Sequence, residues 1–332
     1  ALATILEDPG RDRELKGEAL RALTLILRDA PEEIRLSLVT ALVNGFEESF
    51  DGGLRCSFVA ALGSCAPYLD RRQSVQVLDL VSQWPLEELE RTSQTVFVRT
   101  IERIGLATPA VVNALLEAFQ SGIPRLELMA AAVFRGLEYQ DPIDVERVFG
   151  ALLGGLEHPS PEHREAVIES LAVLSLKFDR EEVLRDFMAA LEDDVMEVRH
   201  AALRGLSQFG MASEGVLEAL VGALKEESVG MRLTAIHGLA SLARGAPMVL
   251  GPLLAVLEDP DKDVQEAAAY SLSHIGREMQ ACVTVLEAEL RVAEVAKRRL
   301  VTEILGRFST HTALVVKALK RALKDSDLGV QS

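Results

Sequence analysis

Large rings are scarce in this sequence: 5% of its 332 residues are aromatic, although 48% are hydrophobic. A compact globule fills its centre with rings. Here Ala, Leu and Val carry the apolar load, which suits helices packed closely side by side. Cysteine is scarce as well. Cys56, Cys65 and Cys282 form an odd set without CxxC spacing, which excludes a disulfide framework and a cysteine zinc site. They are expected to be small buried hydrophobes in a reducing, cytoplasmic compartment. Positive charge falls short, with 35 Lys and Arg against 51 Asp and Glu, for a net charge of −16. Nucleic acid and anionic membranes are polyanions, so non-specific binding to either is disfavoured. No apolar run approaches the ~20 residues of a membrane-spanning helix. No signal peptide is visible, and the chain starts at Ala1 without Met, as a processed terminus or a fragment would. Also missing are GxSxG, a Walker sequence and a GxGxxG after a strand.

What is present is repetition. VLEDPDKDVQEAAAYSLSHIG (256–276) echoes ALEDDVMEVRHAALRGLSQFG (190–210). Leu191, Leu224, Leu257 and Leu290 stand 33 residues apart, as do Val198, Met231, Val264 and Lys297, and again Leu206, Leu239, Leu272 and Leu305. A fixed period of this size marks a solenoid of helix–turn–helix units. Within a unit, Leu217, Leu220, Val221 and Leu224 follow the i, i+3, i+4, i+7 spacing of one helical face, and so do Val264, Ala268, Ser271, Leu272 and Ile275. Asp263 with Glu266, and Asp194 with Glu197, have capping-box spacing. Ser160–Pro161 and Thr108–Pro109 set an N-cap before a proline at the first helical position. Nothing reads as a strand. Copies are clear from about His158 onward and looser before it, with the spacing stretching to about 39 residues near the N-terminus. Residues 1–332 are expected to form one elongated array of about nine to ten units, itself part of a longer array.

The pattern L-x-D-P-x-x-x-V-R-x-A-A-x-x-A-L-x-x-I-G, carried by Leu191–Gly210 and Leu257–Gly276, resembles the HEAT repeat, in the HEAT-like subtype of phycobilin lyases and many bacterial proteins. The resemblance implies an all-α fold, a right-handed α-solenoid (superhelix) in which the second helix of each pair lines the concave surface. Arg164, Arg199, Arg232 and Arg298 match the family's arginine, which usually bonds an acid of an adjacent turn. Asp193 and Asp259 would be such acids, so these arginines are read as structural. Gln265 departs from the pattern and weakens the ladder there.

No catalytic constellation emerges, and neither cofactor nor metal is implied. His163, His200, His237 and His274 stand 37 residues apart. The last three advance about one turn per unit, roughly 10–11 Å per step, too far to share a zinc ion with ligands at ~2 Å. Trp84, before Pro85, is read as packing at a helix end. In register, one row of second helices reads Ala60, Arg99, Arg135, Glu169, Arg204, His237, Tyr270, Glu303, pointing away from the apolar stripe. The adjacent row reads Val59, Val98, Phe134, Ile168, Leu203, Ile236, Ala269 and is expected to pack repeat on repeat. The first row is either a solvated face or a binding face, since arginine beside apolar surface is the composition of protein hot spots. The expected function is therefore a non-enzymatic scaffold or adaptor. It would hold an acidic extended or helical protein segment along Arg99, Arg135, Arg204, His237 and Tyr270, without nucleic acid or membrane. An accessory or regulatory subunit of an enzyme, including phycobilin-lyase-type assemblies, and a HEAT-like DNA glycosylase are the alternatives. Cations also gather near the C-terminus, between Arg291 and Lys324.

Overall fold

The computed structural model describes residues 2–6, 8, 11–27, 30–47, 52–83, 91–178, 181–209, 213–243, 247–278, 280–308 and 313–331. Trp84 and Pro85 lie outside them. The chain divides into two compact units, Ala1–Leu171 and Ala172–Ser332. The first holds α1 (Leu2–Leu6), α2 (Arg13–Leu27), α3 (Glu32–Glu47), α4 (Gly52–Cys65), α5 (Arg71–Val81), α6 (Arg91–Ile104), α7 (Pro109–Phe119), α8 (Pro124–Phe134) and α9 (Pro142–Gly155). The boundary falls within α10 (Pro161–Phe178). The second holds α11 (Leu184–Ala190), α12 (Met196–Gln208), α13 (Glu214–Ala223), α14 (Val229–Leu242), α15 (Leu250–Ala255), α16 (Lys262–Glu278), α17 (Gln280–Val292), α18 (Val295–Gly306), α19 (Ala313–Ala322) and α20 (Leu328–Gln331).

Each unit is an all-α solenoid segment with two layers. In the first, α2, α4, α6 and α8 pack in succession, and α1 lies against α3, α5 against α7, and α7 against α9. In the second, α12, α14, α16, α18 and α20 form one layer, while α11 meets α13 and α17 meets α19 in the other. No helix buries its stripe alone, so each pair depends on its neighbours. The apolar row behaves as expected: Val59, Val98, Phe134 and Ile168 are buried in the first unit, and Leu203, Ile236 and Ala269 in the second. Two positions further along the residue is small (Ala61, Thr100, Gly136, Ser170), which lets the second helices approach. Thr100 Oγ1 donates to Val59 O of the preceding second helix (3.2 Å), and Ser170 Oγ donates to Ala131 O (2.7 Å).

Several starts follow the sequence signals. Thr108 accepts from Val111 N ahead of Pro109, and Ser160 accepts from His163 N ahead of Pro161. The two expected capping boxes do not form. Asp261, not Asp263, accepts the N–H groups of Asp263 and Val264 (2.9 and 3.2 Å), because α16 starts at Lys262 and places Asp263 inside the helix. Likewise α12 begins after Val195, whose N–H is taken by Asp193. A full box forms where none was read, between Asp70 and Gln73. Two short strands also appear against expectation: Leu106–Ala107 (β1) and Glu138–Tyr139 (β2) pair in parallel. Gly105, at φ +73, turns the chain out of α6, and its carbonyl accepts from Glu138 N (2.6 Å). Adjacent turns of stacked pairs run side by side there, a tertiary event that local patterning does not encode.

Candidate functional site

The exposed row has members in both units. In the first, Arg99 of α6 is exposed and has no ion pair among the described residues, while Arg135 closes the end of α8 half-buried. Arg135 Nη1 donates to Glu169 Oε2 of α10 (3.0 Å), so two members of the row neutralise each other across neighbouring pairs. In the second, Arg204 of α12 and His237 of α14 are exposed, and Tyr270 of α16 is 64% exposed. The helices place these groups outward because the row one residue earlier is buried throughout.

The arginine ladder is structural. Arg164, Arg199 and Arg232 each donate from Nη1 to two carbonyls of the turn before their own helix, and Arg298 donates to one. Arg232 also reaches the next turn. Its Nη2 donates to Asp259 Oδ1 (3.1 Å) and its Nε lies 2.9 Å from Oδ2. Arg298 meets Asp325 the same way, at 2.8 Å through both Nε and Nη2, and that contact pulls the Asp325 carboxyl down to about 2. Gln265 keeps half the function: its Nε2 donates to Asp259 O (2.6 Å) but it makes no ion pair.

Among the described residues no cluster of possible metal ligands joins two of the four evenly spaced histidines. His200 is half-buried and bonds Thr234 (2.8 Å), and burial, then the nearby Arg204 charge, pulls its pKa down. His237 and His274 are exposed. His163 instead joins two residues that the sequence reading missed, Glu127 of α8 and His158 of the turn before α10. His163 Nδ1 faces Glu127 Oε2 at 3.2 Å, His158 Nε2 faces the same oxygen at 3.6 Å, and the imidazoles stack at 4.0 Å. Gly155 makes room, since a Cβ there would stand 3.1 Å from His163 Nε2 and 3.0 Å from Phe119. The three donor atoms lie within 4.8 Å of one another, as metal ligands could. The hydrogen bonding favours a proton instead. Ser160 N–H donates to His158 Nδ1 (3.1 Å), so neutral His158 carries its proton on Nε2, toward the carboxylate. Ligation through Nε2 would cost that backbone bond. Burial, then the neighbouring His158, lowers the His163 pKa, against the pull of Glu127.

Cys65 and Cys282 are not nucleophiles in waiting. Burial pushes the Cys65 and Cys282 thiols up to about 12, and Cys56 is half-buried. No helix among the described residues is long and apolar enough to cross a membrane.

Comparison with known proteins places the fold. The description "HEAT repeats" matches residues 150–240 and 217–288. No curated protein matches the sequence. Among solved structures, an engineered protein is similar at 19% identity and a TM-score of 0.53, covering 99% of this chain and 95% of that one. Importin beta is similar at 17% identity and a TM-score of 0.56; the match covers 99% of this chain and 49% of importin beta. YibA of Escherichia coli is similar at 18% identity and a TM-score of 0.52, covering 81% and 92% of the two chains. At these identities the likeness concerns fold.

Proposed function

We propose that this chain, whose residues 150–288 match HEAT repeats and whose fold resembles an engineered protein and importin beta, is a non-enzymatic scaffold or adaptor that binds a protein partner on its second-helix layers. The observation that carries the reading is the pairing of rows. In each unit a buried apolar row fixes the second helices, and the next row presents Arg99 and Arg135 in one unit and Arg204, His237 and Tyr270 in the other. Arginine and tyrosine combine apolar area with hydrogen-bonding tips, the composition of binding hot spots. The partner chemistry that fits is an acidic extended or helical segment, because a carboxylate matches the guanidinium fork. Arg135 already holds Glu169 through a single Nη1–Oε2 contact (3.0 Å), and a partner carboxylate would compete for it.

A non-enzymatic role is supported by the buried, high-pKa thiols and by a histidine cluster built around a proton. A glycosylase would need a cationic, aromatic cleft for an extruded base, whereas this row mixes its cations with Glu169 and Glu303. Free cysteines accord with a cytoplasmic setting.

The test is affinity capture from the native cell with mass spectrometry, using wild type, R99E/R135E and R204E/Y270A chains of matched helicity. Loss of a captured partner by at least about 2 kcal/mol in either variant, about thirtyfold, supports the reading. Equal capture by wild type and both variants overturns it.

A further inference from the structure

The cations between Arg291 and Lys324 sort into two groups. Lys297 pairs with Glu258 and Glu289, Arg298 with Asp325, Arg299 with Asp327 and Arg307 with Glu303. These four are neutralised within the unit. The remaining five lie on the other layer. Lys317, Lys320, Arg321 and Lys324 fall at i, i+3, i+4 and i+7 along α19 and the turn that ends it, and all are exposed. That spacing sets them on one face, opposite Val315, Ala318 and Ala322, which are buried. Segment 313–324 contains no acidic residue. Arg291 joins them from α17, whose other exposed side chains in its last three turns are Thr284, Ala288 and Val292.

One carboxylate stands among these cations. Glu287, its side chain 8% exposed, lies 3.3 Å from Arg291, 3.5 Å from Lys317 and 3.3 Å from Arg321. Burial by itself would push its carboxyl up, but Arg291 and Lys317 hold it below the usual range. Five cations against one carboxylate leave a local excess of four positive charges in a chain of net charge −16.

We propose that this basic face of α19, with Arg291 of α17, is a second docking surface, specific for an acidic segment of another protein. Glu287 shows that the patch grips a carboxylate with several cations at once, and Lys320 and Lys324 have no ion pair among the described residues. Leu323, 63% exposed, and Val316, 38% exposed, border the basic face on one side and offer apolar area to an amphipathic partner. The ten residues of α19 span about 15 Å, enough for roughly three turns of a partner helix. A protein carboxylate suits the surface better than a nucleic acid or an anionic bilayer, because those long polyanions would also meet the field of the acidic remainder of the chain. The inference is independent of the second-helix rows, being built on first helices.

The probe is a short fluorescent amphipathic peptide with glutamates on one face, together with its glutamine twin, titrated against the full chain by anisotropy at low and high salt. The expected result is salt-sensitive binding of the glutamate peptide, and at least about tenfold weaker binding to K320E/K324E. That variant breaks no ion pair among the described residues, and its helicity by circular dichroism is matched to wild type before titration. The R204E/Y270A chain is expected to bind the peptide like wild type, which separates this surface from the other. The proposal is overturned by equal binding to K320E/K324E, by equal binding of the glutamine twin, or by loss of binding in R204E/Y270A alone. Binding of phosphatidylserine vesicles or an oligonucleotide without the peptide would also overturn it.

Discussion

Replacing Asp259 by alanine is expected to destabilise the α14–α16 region by about 3 kcal/mol, the low end for breaking a buried ion pair. The side chains of Arg232 and Asp259 are 10% and 9% exposed, so water cannot take over as counter-charge. The low end applies because Arg232 Nη1 keeps its bonds to Glu226 O and Glu227 O, at 2.8 and 2.9 Å. Asp259→Ala also removes the bond that Oδ1 accepts from Asp261 N (2.9 Å), worth about 1 kcal/mol. Arg232→Gln, which copies the Gln265 arrangement, strands the carboxylate instead and is expected to cost about 2 kcal/mol, with Asp261 N still bonded. Combining the two removes both charges together. The double variant is therefore expected to cost no more than the worse single one, a coupling of at least about 2 kcal/mol. Native-state hydrogen exchange at the amides of α14 and α16 is the suitable assay, because it reads local opening without assuming one transition for the whole chain. Single costs that add in the double variant to within about 0.5 kcal/mol would refute the reasoning.

His163 has a pKa below the ordinary 6.5 in the folded chain, so the unfolded chain binds more protons there and stability rises with pH. This contribution is complete above 6.5 and is lost as pH falls through the lowered folded value. His163→Gln is expected to flatten that loss in urea titrations of the first unit. Lys297 occupies a core position with 11% of its side chain exposed, where Glu289 and Glu258 outweigh the cost of burial and raise its pKa. Lys297→Met, matching Met231 two periods earlier, is expected to be neutral within about 1 kcal/mol or stabilising, because both carboxylates retain access to water. A loss of several kcal/mol in thermal melts would contradict this. Thiol labelling in the native state is expected to reach Cys56 well before Cys65 and Cys282, whose thiols sit near 12. Mass mapping that finds Cys65 or Cys282 labelled first would count against the burial argument.

The 33-residue period made the helix pairs, the buried row from Val59 to Ala269 and the structural role of the ladder arginines legible. Helix geometry alone assigns a residue to a face, and a repeated turn presents the same carbonyls to the same side chain each time. Caps were legible where proline marked the first helical residue, at Thr108 and Ser160, and misplaced where only acids marked it, because two neighbouring aspartates offer the same chemistry one or two residues apart. Partners between pairs were decided by tertiary structure. Glu127, His158 and His163 come from a helix, a turn and another helix, and meet only because Gly155 and Phe119 set the depth at which α10 packs. The pairing of Arg135 with Glu169, and the division of the C-terminal cations into a neutralised set and a bare one, arise in the same way. Periodicity says which way a side chain points, whereas the rotation and offset of neighbouring helices, set by how their side chains interdigitate, determine what it meets.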